Sequence, residues 1–493
     1  QTIKGYGLGE AGEGRNITHQ QKKLNEEELM HFRDRFHIPL SDDEVKTAPF
    51  YKPDKDSEEI KYLIERREKL GGFLPKRNKR QPECELPAPQ IFDEFFEGSG
   101  KREVATTMAA VQMLSKLLKD KKAGKLVVPI VPDESRTFGM DALFRQAGIY
   151  SHKGQLYEPV DRESLLYYKE AKDGAILEEG ITEAGSVSSF IAAGTACSTH
   201  QINCIPFYIF YSMFGFQRIG DLIWAAADAR AKGFLLGGTA GRSTLAGEGL
   251  QHQDGQSHLL ALSVPSVRAY DPAFAFELAV IIREGMKEMF QEGEDVFYYI
   301  TVMNEKYPMP SMPSRKGIEN EILSGMYKYK GSLKNKLNLH LLGSGSILNE
   351  SLKAAKILQK EFDIHPEVWS VTSYKKLYDD AIEKEQVNRN KKTKTKNYIE
   401  KCIGTKEGVF VAASDYMKAL PLAVSKWFPG RFTALGTDGF GLSEHRDELR
   451  DYFEIDAKHI AWAAIQNLYE QKKIDRQIYN KAQNKLKIRN SKK

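Results

Sequence analysis

The chain has 493 residues, of which 41% are hydrophobic and 28% charged, with a formal net charge of +5. That length points to roughly two to four domains. The charge and apolar patterning argue against membrane and nucleic-acid roles: Gln217, Arg218 and Asp221 break the most apolar stretch, 202–224, and the basic excess in 391–401 and 481–493 lacks an interleaved aromatic platform.

The first segment, 1–82, holds glycine-rich loops and charged helices. Five glycines between Gly5 and Gly14 predict a mobile loop, and helical periodicity covers 24–36 and 57–70. The polar start Gln1-Thr2-Ile3-Lys4-Gly5 is no secretory signal. It reads as an element already under way, so further sequence upstream is expected. This segment shows no compact core of its own and is expected to be the tail of a larger domain. Four scattered cysteines, Cys84, Cys197, Cys204 and Cys402, show no metal spacing and suit a reducing, cytoplasmic compartment.

Proline-rich sequence at 81–89 marks a boundary. Beyond it, helix 106–118, strand 126–131, helix 141–147, strand 175–178, helix 185–199, strand 205–209, helix 214–231, strand 234–236, helix 272–284 and strand 296–302 alternate. Such alternation predicts a parallel sheet covered on both faces. A second boundary at Tyr307-Pro308-Met309-Pro310-Ser311-Met312-Pro313 opens a new alternation. It comprises strand 337–342, helix 348–362, strands 367–370 and 408–412, helix 418–427, strand 432–435 and helix 457–471, then a charged tail. Residues 380–404 look like a disordered or poorly packed insertion. The expected fold class is α/β: two consecutive parallel or mixed-sheet domains, 83–312 and 313–493, preceded by the tail 1–82.

Ligands of parallel α/β sheets bind at the carboxyl ends of strands. Asp133-Glu134 stand at one such end, and Glu183 follows the next strand. The segment Gly247-Glu248-Gly249-Leu250-Gln251-His252-Gln253-Asp254-Gly255-Gln256-Ser257-His258 follows strand 234–236. Its glycines admit close backbone approach, while Glu248 and His252 can carry protons near neutral pH. Crowded carboxylates beside an imidazole suit proton transfer. Each also has a plainer reading: Asp133, Glu134 and Glu183 as helix-end charges, His252 as a hydrogen-bonded loop residue. The aromatic run from Phe207 to Phe216 reads by itself as core.

Together the segments are more specific than any one of them. The runs Ile205-Pro206-Phe207-Tyr208-Ile209-Phe210-Tyr211-Ser212-Met213-Phe214-Gly215-Phe216-Gln217-Arg218-Ile219-Gly220-Asp221 and Gly238-Thr239-Ala240-Gly241-Arg242-Ser243-Thr244-Leu245 closely resemble the homodimeric bacterial pyruvate dehydrogenase E1 family, of the transketolase-like superfamily. So do Gly14-Arg15-Asn16-Ile17-Thr18-His19-Gln20, Asp133-Glu134-Ser135-Arg136-Thr137-Phe138-Gly139-Met140 and Gly436-Thr437-Asp438-Gly439-Phe440-Gly441. The resemblance implies that 83–312 is a pyrimidine-binding domain and 313–493 a transketolase C-terminal-like domain. It implies thiamine diphosphate as cofactor, with Mg²⁺ ligands in an N-terminal part outside this chain and none within it.

It further implies that Glu183 holds the cofactor's N1′ nitrogen, that Phe214 packs on the pyrimidine, and that Tyr211, His252 and Lys4 contact the pyruvate-derived group. Asp133 and Glu134 line the same cleft, Glu248 stands behind His252, and His19 serves transfer to a lipoyl group. Pyruvate, a homodimeric partner subunit, and the lipoyl domain and core of dihydrolipoamide acetyltransferase (E2) are the implied partners, with neither membrane nor nucleic acid among them. Two other readings remain open: another thiamine-diphosphate enzyme of the superfamily, or a catalytically incomplete half that needs an N-terminal partner.

Overall fold

A computed structural model describes residues 2–20, 23–73, 82–132, 135–160, 168–331 and 337–488. It divides into two compact units, Gln1–Lys76 and Arg77–Lys493.

In the first unit, helix Glu26–Arg35 starts at a capping box: Asn25 accepts from Glu28 N, and Glu28 accepts from Asn25 N. Three glutamates in its first turn and Arg33 and Arg35 in its last complement the helix dipole. Helix Glu58–Lys69 is capped by Ser57. The glycine-rich loop folds on itself. Glu13 Oε2 accepts from Gly7 N at 3.2 Å and Gly9 N at 3.3 Å, and pairs with Arg35 at 2.9 Å. Among the described residues of this unit, Val45 is the one buried hydrophobic side chain.

The second unit contains two large sheets, besides two small two-stranded ones, Glu103–Val104 with Tyr307–Pro308 and Ile149–Tyr150 with Glu170–Ala171. The larger holds β1 (Val127–Val131), β2 (Leu177–Glu178), β3 (Ile205–Tyr211), β4 (Phe234–Gly238), β5 (Val267–Tyr270) and β6 (Phe297–Thr301) in the order β2-β1-β3-β4-β6-β5, all parallel. Every residue of β3 is buried, as a central strand covered on both faces must be, and Phe207 stacks on Phe234 of β4 at 4.5 Å. The chain runs from β1 to β2 on one side and returns to β3 on the other. The carboxyl ends of β1 and β3 thus flank a topological switch point, where open α/β sheets bind ligands.

The second sheet holds β7 (Met326–Lys330), β8 (Leu339–Gly343), β9 (Glu367–Val371), β10 (Gly408–Ala413) and β11 (Gly430–Leu435) in the order β7-β9-β8-β10-β11. β7 is an antiparallel edge strand, which the sequence reading lacked. One hydrophobic cluster runs through both sheets, and a second fills the far face of the smaller one around Trp369, Phe410 and Trp427. No described helix is long and apolar enough to cross a membrane.

Several expectations are corrected. Residues 380–404 are not a disordered insertion: helix Tyr374–Asn388 runs into them and helix Tyr398–Ile403 follows. Asn397 and Glu400 form a capping box, Ile399 is fully buried, and Trp427 Nε1 donates to Glu385 at 2.7 Å. Helix 418–427 is instead two short turns, Ala419–Leu422 and Ser425–Trp427. Pro421, which lacks an amide hydrogen, limits regular helix there. The charged tail contains helix Arg476–Leu486, which buries Ala482 and Leu486. Helix 185–199 begins earlier, at Glu183, and divides at Thr195 into Glu183–Gly194 and Ala196–Thr199.

Candidate active site

Three connections leaving the carboxyl ends of β2, β3 and β4 build one cluster. After β2 the chain turns to Thr182, whose hydroxyl accepts from Gly185 N at 3.2 Å and starts the helix at Glu183. That start fixes Glu183 in the first turn, where the helix dipole favours a carboxylate. The residue is only 7% exposed.

After β3 come the short turn Ser212–Phe214 and helix Phe216–Asp228. Gly215 joins them where a Cβ would stand 2.5 Å from the Phe210 ring, so only glycine fits. The turn leaves Phe214 partly exposed, and Tyr211 meets its edge at 5.6 Å. From the next helical turn Arg218 reaches back. Its guanidinium lies 3.9 Å from the Phe214 ring centroid, and Nη1 donates to Glu183 Oε2 at 3.0 Å.

The loop after β4 brings His252 to the same aromatics, 4.8 Å from Tyr211 and 5.3 Å from Phe214 between ring centroids. Its Nδ1 is buried without a hydrogen bond among the described residues. Glu248 Oε2 stands 3.7 Å away, within ion-pair range but beyond a hydrogen bond. Asp254 holds the loop: its Oδ1 accepts from Gln217 Nε2, Gln256 N and Ser257 N, each at 2.9 Å. Gln253 ties the loop to the second sheet's domain by accepting from Leu442 N at 2.6 Å. The buried Arg242 does likewise by donating to the Thr437 carbonyl. A cavity of 480 Å³ opens among Phe214, Arg218, Arg242, Leu250, Gln253 and Phe440.

Of the residues singled out from sequence, Glu183, Tyr211, Phe214, Glu248 and His252 therefore converge. Asp133 and Glu134 lie outside the described residues. Beside them Ser135 Oγ donates to Glu178 Oε1 at 3.0 Å, and Phe138 packs under Tyr211 at 5.4 Å. Lys4 and His19 belong to the first unit. There Lys4 Nζ donates to the Asn16 carbonyl at 3.3 Å, and His19 is exposed at the end of the turn Asn16–His19. Arg218, Gln217, Arg242 and Asp254 were not singled out as site residues. The one available signal was that Gln217 and Arg218 interrupt an otherwise apolar stretch.

A carboxylate and an aromatic face spaced by one planar cation suit a flat, nitrogen-bearing ring. The guanidinium supplies the test: it makes both the hydrogen bond and the stack that an aminopyrimidine would make, so Glu183 and Phe214 fit that part of thiamine diphosphate. Among the described residues, the group with metal-ligand spacing is Asp451, Asp456 and His459. It does not fit the cofactor's metal: Asp456 caps a helix and binds His459, and Lys458 neutralises Asp451 and Asp456.

Residues 86–310 match the family model of the pyruvate dehydrogenase E1 component middle domain, and 325–456 that of the transketolase-like TK C-terminal domain. Pyruvate dehydrogenase E1 component of Pseudomonas aeruginosa is 52% identical over 487 residues, covering 98% of this chain and 55% of that protein. Its namesake of Escherichia coli K12 is 47% identical over 482 residues, covering 97% and 54%. The chain thus spans about half the length of the curated relatives it matches. Among solved structures, transketolase of Campylobacter jejuni superposes with a TM-score of 0.59 at 17% identity, covering 93% of this chain and 61% of that one. Transketolase of Leishmania mexicana gives 0.57 at 15% identity, covering 93% and 56%. These two likenesses establish a transketolase-like α/β fold. By its sequence over the middle and C-terminal domains, the chain belongs to the pyruvate dehydrogenase E1 component family.

Proposed function

We propose that this chain carries the aminopyrimidine-binding side of a thiamine-diphosphate site that decarboxylates pyruvate and passes the acetyl group to the lipoyl group of E2. The observation that carries this reading is the slot between the buried Glu183 carboxylate and the Phe214 ring, with His252 at its edge. When bound, the cofactor supplies the electron sink for cleavage next to a carbonyl.

The chain's own residues bind, orient and move protons. Glu183 is set by its helix start to hold a proton at a ring nitrogen, and Phe214 fixes the ring plane. His252, held against Tyr211 with no hydrogen bond to Nδ1 among the described residues, serves the substrate side as a proton donor or acceptor. Glu248 sits where it attracts the protonated imidazole. We assign Asp133 and Glu134 to the same cleft, Lys4 to the substrate carboxylate, and His19 to acetyl transfer. The metal and diphosphate contacts we assign to sequence outside this chain, and the second wall of the cleft to a partner subunit of a cytoplasmic homodimer.

The test is a substrate panel with ferricyanide as electron acceptor, in the enzyme that contains this chain. Pyruvate should be preferred over 2-oxoglutarate and over ketose phosphates, and E183Q should abolish turnover. Preference for a ketose phosphate would instead favour transketolase chemistry. H19A should keep ferricyanide-linked turnover yet lose acetylation of the lipoyl domain; equal loss of both would remove that role.

A further inference from the structure

We propose that the C-terminal domain positions His252, and that Gln253 is the positioning residue through which it does so. This inference rests on the assignment of His252 to the substrate side of the proposed site.

A working histidine is commonly aimed by a hydrogen bond at its second ring nitrogen. His252 Nδ1 has none among the described residues, and Glu248 Oε2 at 3.7 Å is too far to make one. Packing on Tyr211 and Phe214 limits where the ring lies but supplies no such bond. The aim of the ring therefore falls to the backbone that carries it.

That backbone is fastened at both ends to one segment of the C-terminal domain. Before His252, Gly247 N donates to the Glu444 carbonyl at 3.3 Å. After it, the fully buried Gln253 side chain makes two bonds. Oε1 accepts from Leu442 N at 2.6 Å, and Nε2 donates to the Leu245 carbonyl at 2.8 Å. Gln253 N also donates to the Leu250 carbonyl at 3.2 Å, which closes the turn presenting His252. One side chain, next to His252 in sequence, thus joins the start of the loop to the C-terminal domain.

The segment also presses on the turn. A Cβ at Gly441 would stand 2.6 Å from Gln253 Oε1 and 2.8 Å from the Leu250 carbonyl oxygen, closer than Cβ atoms approach. The segment is itself held, because Arg446 Nε donates to the Thr244 carbonyl at 2.6 Å and Arg242 donates to the Thr437 carbonyl. A displacement of 441–446 therefore passes to the His252 peptide. Moving an acid–base group by about 1 Å can cost about a hundredfold in rate.

The experiment compares wild type, H252A, Q253M, G441A, the double variant H252A/Q253M and N397A in the enzyme containing this chain. Q253M keeps the length of the side chain and removes both of its hydrogen bonds. G441A leaves the loop sequence intact and wedges it from the C-terminal domain. N397A is the control, because its capping bonds stay within residues 397–400. With ferricyanide as acceptor, kcat for pyruvate should fall about tenfold to a hundredfold in Q253M and about tenfold in G441A, with KM little changed. N397A should turn over like wild type. In the H252A background, Q253M should cost no further rate. With histidine labelled at Cε1, the His252 resonance, identified by its loss in H252A, should move in both Q253M and G441A as the ring shifts against Tyr211 and Phe214. If Q253M fails to fold, G441A answers the same question.

Native turnover in Q253M and G441A, or a His252 resonance unmoved in both, overturns the positioning role and leaves the proposed site standing. A Q253M loss that persists in full in the H252A background does the same, since it is not routed through His252. Full turnover by H252A overturns both.

Discussion

The carboxyl edge of the larger sheet and the junction between the two sheets are both polar, but they use polarity in opposite ways. At the edge, His252 Nδ1 has no hydrogen bond among the described residues, and Glu183 pairs with the half-exposed Arg218. At the junction many buried polar groups engage one another, although Arg242 Nε, Ser243 Oγ, Asp271 Oδ2 and Arg450 Nε find no hydrogen bond among the described residues. Asp415 accepts from Ser243 N at 2.8 Å and Thr244 N at 2.9 Å, across the two domains. Arg450 reaches Glu305 and Glu350, and Glu277 accepts from Ala273 N, Phe274 N, the Tyr327 hydroxyl and the Ser370 hydroxyl. The charges at the junction are held by several partners each, whereas the site edge holds Glu183 by a half-exposed cation; an unpaired buried group at either place costs about 1–3 kcal/mol.

The sharpest way to break this contrast is to remove one charge from each region. E183Q should lower pyruvate decarboxylation about 100-fold or more while the urea midpoint barely moves. A large drop in stability would place Glu183 with the junction instead. R450M should do the reverse, costing about 3–5 kcal/mol in urea unfolding because Glu305 loses its cation and Glu350 keeps only Lys353. Unchanged stability would show that the junction is not welded by this group.

A smaller effect separates the regions by pH. Burial, with the Asp415 charge adding to it, pushes Asp271 up to about 7. The native state then keeps a proton that the unfolded chain gives up above about pH 4. Asp271 therefore contributes stability that is full below that pH and lost as pH rises through about 7. His258, joined to Asp271 through Thr301 at 2.8 and 2.7 Å, is pushed by burial down to about 3. Its effect has the opposite sign: stability is full above the ordinary histidine range and falls as pH drops below about 6.5. D271N should consequently gain about 2–4 kcal/mol relative to wild type between pH 4 and pH 8. Parallel pH profiles of the two proteins would refute this. The smallest effect is N397A, expected to cost about 1 kcal/mol by loss of the capping box, with no change in turnover.

Much of the fold was legible because burial imposes a period. Strand 205–209 and helix 106–118 were found within two residues of β3 and of helix Thr106–Lys119. The stretch 380–404 was misread because its order comes from a few particular contacts, the Asn397 cap, buried Ile399 and the Glu385–Trp427 bond, which leave no periodic trace. In the site, residue types pointed to Glu183 and His252, and the family resemblance added Phe214 and Tyr211. Arg218 had no such signature. Thirty-five residues separate it from Glu183, and only the β2-β1-β3 order brings the ends of β2 and β3 to one edge.

The alternation of strands and helices, the two α/β domains and the chemical types at the strand ends follow from residue order alone, because they depend on local periodicity and on which side chains can carry a proton. It took the folded chain to bring a guanidinium onto both Glu183 and Phe214, to leave His252 Nδ1 with no hydrogen bond among the described residues, and to bury Asp271 deeply enough to push its carboxyl up to about 7. Those outcomes depend on distances of a few ångströms between segments remote in the chain, and on the low dielectric that surrounds them.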